Sequence, residues 1–156
     1  MEARLNVFTS PLFGKLLKHF AAAGKVVTDS GLPMTTQELV KIRASQINGC
    51  GVCLDMHTKE AAAAGETAQR LHMIAAWREA KVFTEAERAA LELAEQGTRV
   101  ADGTGVSDEV WENAAKHYDE EELLALVSLI AVINAFNRLN VMTQQPAGDY
   151  VVGQFG

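Results

Sequence analysis

Between Glu120 and about Met142 the chain carries Leu123, Leu124, Leu126, Val127, Leu129, Ile130, Val132, Ile133 and Phe136 with almost no polar face. A helix that is apolar on every side is stable only where every side is covered. Lipid is a poor cover for this one, because Ser128, Asn134, Asn137 and Arg138 interrupt the run and three acids stand at its head. The cover is therefore expected from protein: from other helices of the chain and, since the whole sequence has only 156 residues, from a second subunit. Asn134 and Asn137, if buried there, must find hydrogen-bond partners.

The remaining punctuation is helical as well. Ser10-Pro11 reads as an N-cap and first helical residue, and Phe13, Leu16, Leu17, Phe20 and Val27 recur on one face before Gly31 and Pro33. Thr35 and Glu38 have capping-box spacing and predict a helix with Leu39, Ile42 and Ile47 inward, ending at Asn48-Gly49. A third helix follows to Gly65, and Thr67 caps a short one carrying Leu71 and Ile74. Thr84 with Glu87 and Asp119 with Glu122 repeat the capping box. Ser107 opens a helix with Val110, Trp111, Ala114 and Tyr118 on one face. Residues 99–105 are expected to be a loop and the tail from Pro146 loosely held. Strand alternation is nearly absent, so residues 1–156 are expected to form a single all-α domain.

Composition narrows the class further. The formal charge is −6, and no Lys/Arg-rich patch breaks the acidic balance, which argues against nucleic acid or an anionic membrane as partner. The opening MEARLNVF lacks a basic head and apolar run, so a cytoplasmic location is expected. In that reducing compartment the two cysteines, Cys50 and Cys53, point to redox or metal chemistry rather than to a structural staple.

The segment Glu38–His57, ELVKIRASQINGCGVCLDMH, concentrates the chemistry. On a helix Cys50, Cys53 and His57 fall at i, i+3 and i+7, on one stripe where the sulfurs and the imidazole can meet. A thiolate is favoured near a helix N-terminus and beside a proton acceptor. Cys53, one turn before His57, is thus the expected nucleophile and His57 its base. Helical i, i+3 spacing lies within reach of a disulfide, so Cys50 can resolve what forms on Cys53. Zinc is the rival use of Cys50, Cys53 and His57, with Glu38 as fourth ligand. Glu38 also has a purely structural explanation as the capping-box acid.

The run INGCGVCLDMHTKEAAAAGET, with Glu38 before it and the AWREA and EAERAALELAE segments after it, resembles the alkylhydroperoxidase D (AhpD) family of the carboxymuconolactone decarboxylase-like superfamily. The late INAFNRLNV segment shares the likeness. The resemblance implies an AhpD-like all-α bundle, assembled as a homo-trimer or homo-hexamer, that reduces hydroperoxides through a dithiol/disulfide cycle. It makes Cys53 the peroxidatic cysteine, Cys50 its proton donor and resolving partner, His57 the base and Glu38 a proton relay. Where the best-studied branch has a second histidine before the second cysteine, this chain has Val52, so a shorter relay is implied. No flavin or nicotinamide signature is present and no cofactor is expected. Reducing equivalents would come from an external dithiol reductant: a lipoyl group, thioredoxin or a small thiol.

Two other classes are compatible with the sequence. A lyase resembling the lactone decarboxylases would ignore the cysteines and bind a carboxylate through Arg43 or Arg78. A redox-sensing oligomer would change assembly without turnover. Trp77 and Trp111 are expected as packing anchors, and His19, His72 and His117 at the surface.

Overall fold

Side-chain caps set most helix starts in the computed structural model, which describes residues 2–103 and 105–155. The chain forms α1 (Pro11–Thr28), α2 (Met34–Asn48), α3 (Gly51–Ala63), α4 (Ala68–Met73), α5 (Glu85–Thr98), α6 (Asp108–Ala115) and α7 (Glu120–Thr143), with no strand among the described residues. Ser10, Thr67 and Ser107 each accept the N–H three residues on, so one of the unpaired donors of the first turn is satisfied. The capping boxes Thr84/Glu87 and Asp119/Glu122 are complete.

The third expected box does not form. Pro33 occupies the N-cap of α2 without a side-chain bond, so the helix begins one residue before the expected cap. Glu38 then lies beyond the first turn, buried on the inner face, and its carboxylate is available for other partners.

The core lies where α7 crosses the chain. It packs against α1, α2, α3, α5 and α6, and α2 packs in turn on α3 and α5. One apolar cluster joins Val40, Leu93, Leu126 and Leu129 across α2, α5 and α7. A second joins Leu39, Ile42, Ile74, Trp77 and Leu91. By length and composition α7 resembles a membrane span, yet Leu126, Leu129, Ile130 and Ile133 are buried against protein and Asn134 and Asn137 are both bonded. Its other side, with Leu124, Val127 and Met142, stands open in the single chain, as does Leu12 of α1.

Three expectations need correction. Trp111 is 44% exposed, because it sits about 100° round α6 from the buried Val110, on the outer edge of the inward face. Trp77 is buried as expected, and His19, His72 and His117 are exposed. Residues 100–102 form a 3₁₀ turn inside the expected loop, of which Thr104 lies outside the described residues. The tail is not loose. Asp55 Oδ2 accepts the N–H groups of Gly148 (2.9 Å) and Tyr150 (3.0 Å), and Lys59 Nζ donates to both of their carbonyls. Polar side chains on α3 thus replace the missing secondary structure.

Candidate active site

The CxxC turn is made by the junction of two helices. Gly49 closes α2 at φ +68°, a conformation that suits glycine, and the Cys50 N–H returns to the Ser45 carbonyl at 3.0 Å. Cys50 is therefore the N-cap of α3, not a residue within it. Its Sγ accepts the Cys53 N–H at 3.4 Å, and Cys53 falls in the first turn. The two cysteines form a disulfide with a Cα–Cα separation of 5.4 Å, and each is only 1% exposed. Ala44, Val52 and Ile133 pack around them.

One turn on, His57 is buried and its Nδ1 stands 3.0 Å from Glu38 Oε2. Glu38 Oε1 accepts from Lys41 Nζ at 2.8 Å. Burial pushes the Glu38 carboxyl up, but the hydrogen bond and charge of His57 and the Lys41 ammonium outweigh it and hold the group below the usual carboxylate range. An ionised carboxylate only accepts hydrogen bonds. A neutral His57 ring facing this carboxylate donates from Nδ1, which leaves Nε2 as its accepting nitrogen.

Cys53 and His57 line one cavity of about 220 Å³, walled by apolar side chains such as Leu129 and Phe136. Cys50 is not among its lining residues. No hydrogen bond joins the His57 ring to Cys53 here; in the disulfide Cys53 has no proton for an imidazole to take. The polar contact to Cys53 Sγ comes instead from Asn140 Nδ2, at 3.4 Å. A second cavity, of about 410 Å³, meets Glu38 together with Glu66, Arg70 and Glu87.

Two neighbours of the site were not expected from sequence. Lys41 was legible as an i, i+3 partner of Glu38. Asn140 continues the three-residue spacing of Asn134 and Asn137. Those two meet Asn48 Nδ2 through their Oδ1 atoms at 2.9 and 2.8 Å, and Asn137 also donates to Ser45 Oγ at 3.1 Å. The network fastens the last turn of α2, and so the cysteine turn, to α7. Among the described residues no three His, Cys, Asp or Glu side chains are placed to share a metal ion.

Arg43 and Arg78, expected to serve a carboxylate substrate in the lyase reading, are both bonded to the buried Glu95 of α5, at 2.7 and 2.6 Å. Neither lines either cavity.

Comparison with known proteins places this geometry. A protein of Bacillus subtilis, YdfG, itself uncharacterised, is 44% identical over 117 residues, which is 75% of this chain and 79% of that one. The crystal structure of ATU0492 from Agrobacterium tumefaciens, of unknown function and suggested to be an AhpD antioxidant defence protein, superposes with a TM-score of 0.87 at 33% identity. The match covers 96% of this chain and all of that one. The debrominase Bmp8 shares the fold alone, with a TM-score of 0.77 at 20% identity over 87% of this chain and 73% of its own. The carboxymuconolactone decarboxylase family model matches residues 11–96, a span that holds Glu38, both cysteines and His57. The chain accordingly belongs to the carboxymuconolactone decarboxylase family and is AhpD-like within it.

Proposed function

We propose that the protein is a thiol-dependent peroxidase that reduces organic hydroperoxides and cycles Cys50 and Cys53 between dithiol and disulfide. The observation that carries this reading is that Cys53 and His57, but not Cys50, share a cavity large enough for a small organic molecule. The sulfur at the cavity is the one that can meet a substrate. The other is placed 5.4 Å away, Cα to Cα, to close the disulfide.

In the reduced enzyme, His57 Nε2 takes the Cys53 proton, and the thiolate is favoured by its position in the first turn of α3. Thiolate attack on the distal oxygen of ROOH forms an S–O bond as the O–O bond breaks. The imidazolium returns its proton to the leaving alkoxide, giving ROH and Cys53–SOH. Glu38 stays ionised and holds the imidazolium charge. Cys50 then attacks the Cys53 sulfur, and hydroxide leaves with the Cys50 proton as water. An external dithiol returns two electrons and two protons and is itself oxidised to a disulfide. The exposed apolar side of α7 supports a homo-oligomer, and the reaction is assigned to the cytoplasm, where reduced thiols are available.

The test is mass spectrometry under denaturing conditions after one equivalent of hydroperoxide. Reduced wild type should lose two protons, and Cys50→Ser should carry a trappable sulfenic acid on Cys53. Unchanged thiols, or oxidation confined to Cys50, would overturn the proposal. The lyase class gains nothing from the site, since Arg43 and Arg78 are spent on Glu95.

A further inference from the structure

The two ends of the chain meet over this cavity. Gln145 Nε2 donates to the Leu5 carbonyl at 2.7 Å, and the Arg4 N–H to that of Thr143 at 2.9 Å. The strap that follows, residues 146–155, is held along α3 by Asp55 and Lys59, and further on by Glu60, which accepts the Gly153 N–H at 2.7 Å and the Tyr150 hydroxyl. It crosses the cysteine turn so closely that a Cβ on Gly51 would stand 3.1 Å from that of Ala147. At its end Phe155 stacks on Phe8, with ring centroids 6.4 Å apart and planes 6° apart. Phe8 is in edge contact with Phe13 at 5.6 Å, and all three rings line the cavity that holds Cys53 and His57. Phe8 and Phe155 are each 56% exposed, so they form a rim with one side toward solvent.

We propose that this aromatic rim, Phe155 above all, sets the substrate preference of the site: it selects hydroperoxides bearing a bulky, flat apolar group over hydrogen peroxide. The inference rests on the peroxidase reading and goes on to name its substrate class. The cavity holds about 220 Å³, several times the ~30 Å³ share of one liquid water. Hydrogen peroxide, barely larger than water, leaves nearly all of that wall unused. An aromatic R group fills it, removes apolar surface from water and presents its edge or face to three phenylalanines. The strap is fastened by hydrogen bonds as far as Gly153, and beyond them Phe155 is already packed on Phe8 and Tyr150, so ordering it on binding costs little further entropy.

The experiment compares wild type, Phe155→Ala and Phe8→Ala with cumene hydroperoxide and hydrogen peroxide as probes. Phe155 is more than half exposed and belongs to no core cluster, so its loss leaves the fold intact; circular dichroism checks this. For Phe155→Ala, kcat/KM for cumene hydroperoxide should fall about 10-fold while that for hydrogen peroxide stays within about twofold, a size set by the apolar surface the ring would cover on the substrate. Phe8→Ala should shift the ratio in the same direction. Equal loss on both peroxides, or none on either, would overturn the proposal. Calorimetric binding of 2-phenyl-2-propanol, the alcohol product, is independent of turnover and should weaken about 10-fold in Phe155→Ala. If wild type consumes neither peroxide but this binding difference stands, the peroxidase reading has failed and the rim has not. If binding is unchanged, the rim has failed whatever the turnover.

Discussion

Two buried glutamates show how similar residues in similar helices are put to different use. Glu95 on α5 is surrounded by cations: Arg43 Nη2 at 2.6 Å, Arg78 Nη1 at 2.6 Å and Arg99 Nη1 at 3.7 Å, with Trp77 Nε1 donating at 2.8 Å. Glu38 on α2 has a histidine and a lysine. Burial pushes both carboxyls up and their partners bring both below the usual range. The difference lies in what can change. Every partner of Glu95 is a guanidinium or an indole N–H, which only donate, so that cluster is closed and serves to tie α2 and the segment after α4 to α5. One partner of Glu38 can take up and release a proton, and it lines the cavity of Cys53. Saturation marks the structural site and spare protonation capacity the chemical one.

That contrast predicts opposite responses to substitution. His57→Ala should slow Cys53 oxidation by roughly 10²-fold, the usual worth of a positioned general base, and should cost less stability than loss of Glu95, because Lys41 still faces Glu38; stopped-flow tryptophan or thiol-trapping kinetics would read the rate. Glu38→Gln should lie between this variant and wild type, since an amide still orients the ring but no longer balances its charge. A His57→Ala enzyme with an unaltered rate would remove the distinction between the two clusters.

Glu95→Ala should do the reverse. It removes the carboxylate shared by Arg43, Arg78 and Arg99 and leaves the Trp77 indole N–H without its acceptor, and loss of one partner from a buried ion pair costs about 3 kcal/mol. Urea denaturation should show that loss, while the rate of Cys53 oxidation in the folded protein stays within about threefold.

Acid should separate the clusters in a graded way. A carboxyl whose folded pKa is depressed contributes stability that is present above its unfolded pKa, near 4.5, and is lost as pH falls through the folded value. Wild type should therefore lose stability progressively below about pH 4.5, and Glu95→Gln should have a shallower slope there because it has one fewer group to protonate. Denaturation midpoints between pH 3 and pH 7 provide the check, and parallel slopes would mean that Glu95 is not held in its ionised form.

How much of this was legible in the sequence follows from the range of the interactions. Helix starts at Ser10, Thr67, Thr84, Ser107 and Asp119 depend on contacts within a turn, and the sequence states them in full. The Thr35/Glu38 box failed because Pro33 took the N-cap two residues early, and the local pattern does not record which of two starts wins. The CxxC turn was legible because three site residues lie within one helix and its N-cap. Glu38 was legible only through the resemblance, since its bond to His57 joins two helices. Asn140 reaches Cys53 across 87 positions, and the strap folds back on α3 over a similar separation. Nothing in the spacing of Gly148, Tyr150 or Phe155 announces that Asp55 and Glu60 await them.

The smallest expected effect belongs to Asn140, the residue that distinguishes the Cys53 neighbourhood most subtly. Its Nδ2 donates to Cys53 Sγ at 3.4 Å in the disulfide, and a donor placed there favours a thiolate over a thiol in the reduced enzyme. A hydrogen bond to a charged group is worth about 1.5 kcal/mol, or roughly one pH unit in a titration. In a Cys50→Ser background, where Cys53 is the one thiol, Asn140→Ala should raise the midpoint of iodoacetamide alkylation by roughly that amount. Asn140→Asp should raise it further by adding a negative charge beside the sulfur. The same two substitutions leave the Glu95 cluster untouched, so melting temperature should not follow the alkylation midpoint. If the two move together, Asn140 acts through packing of α7 and the thiolate owes its stability to the helix terminus and His57 alone.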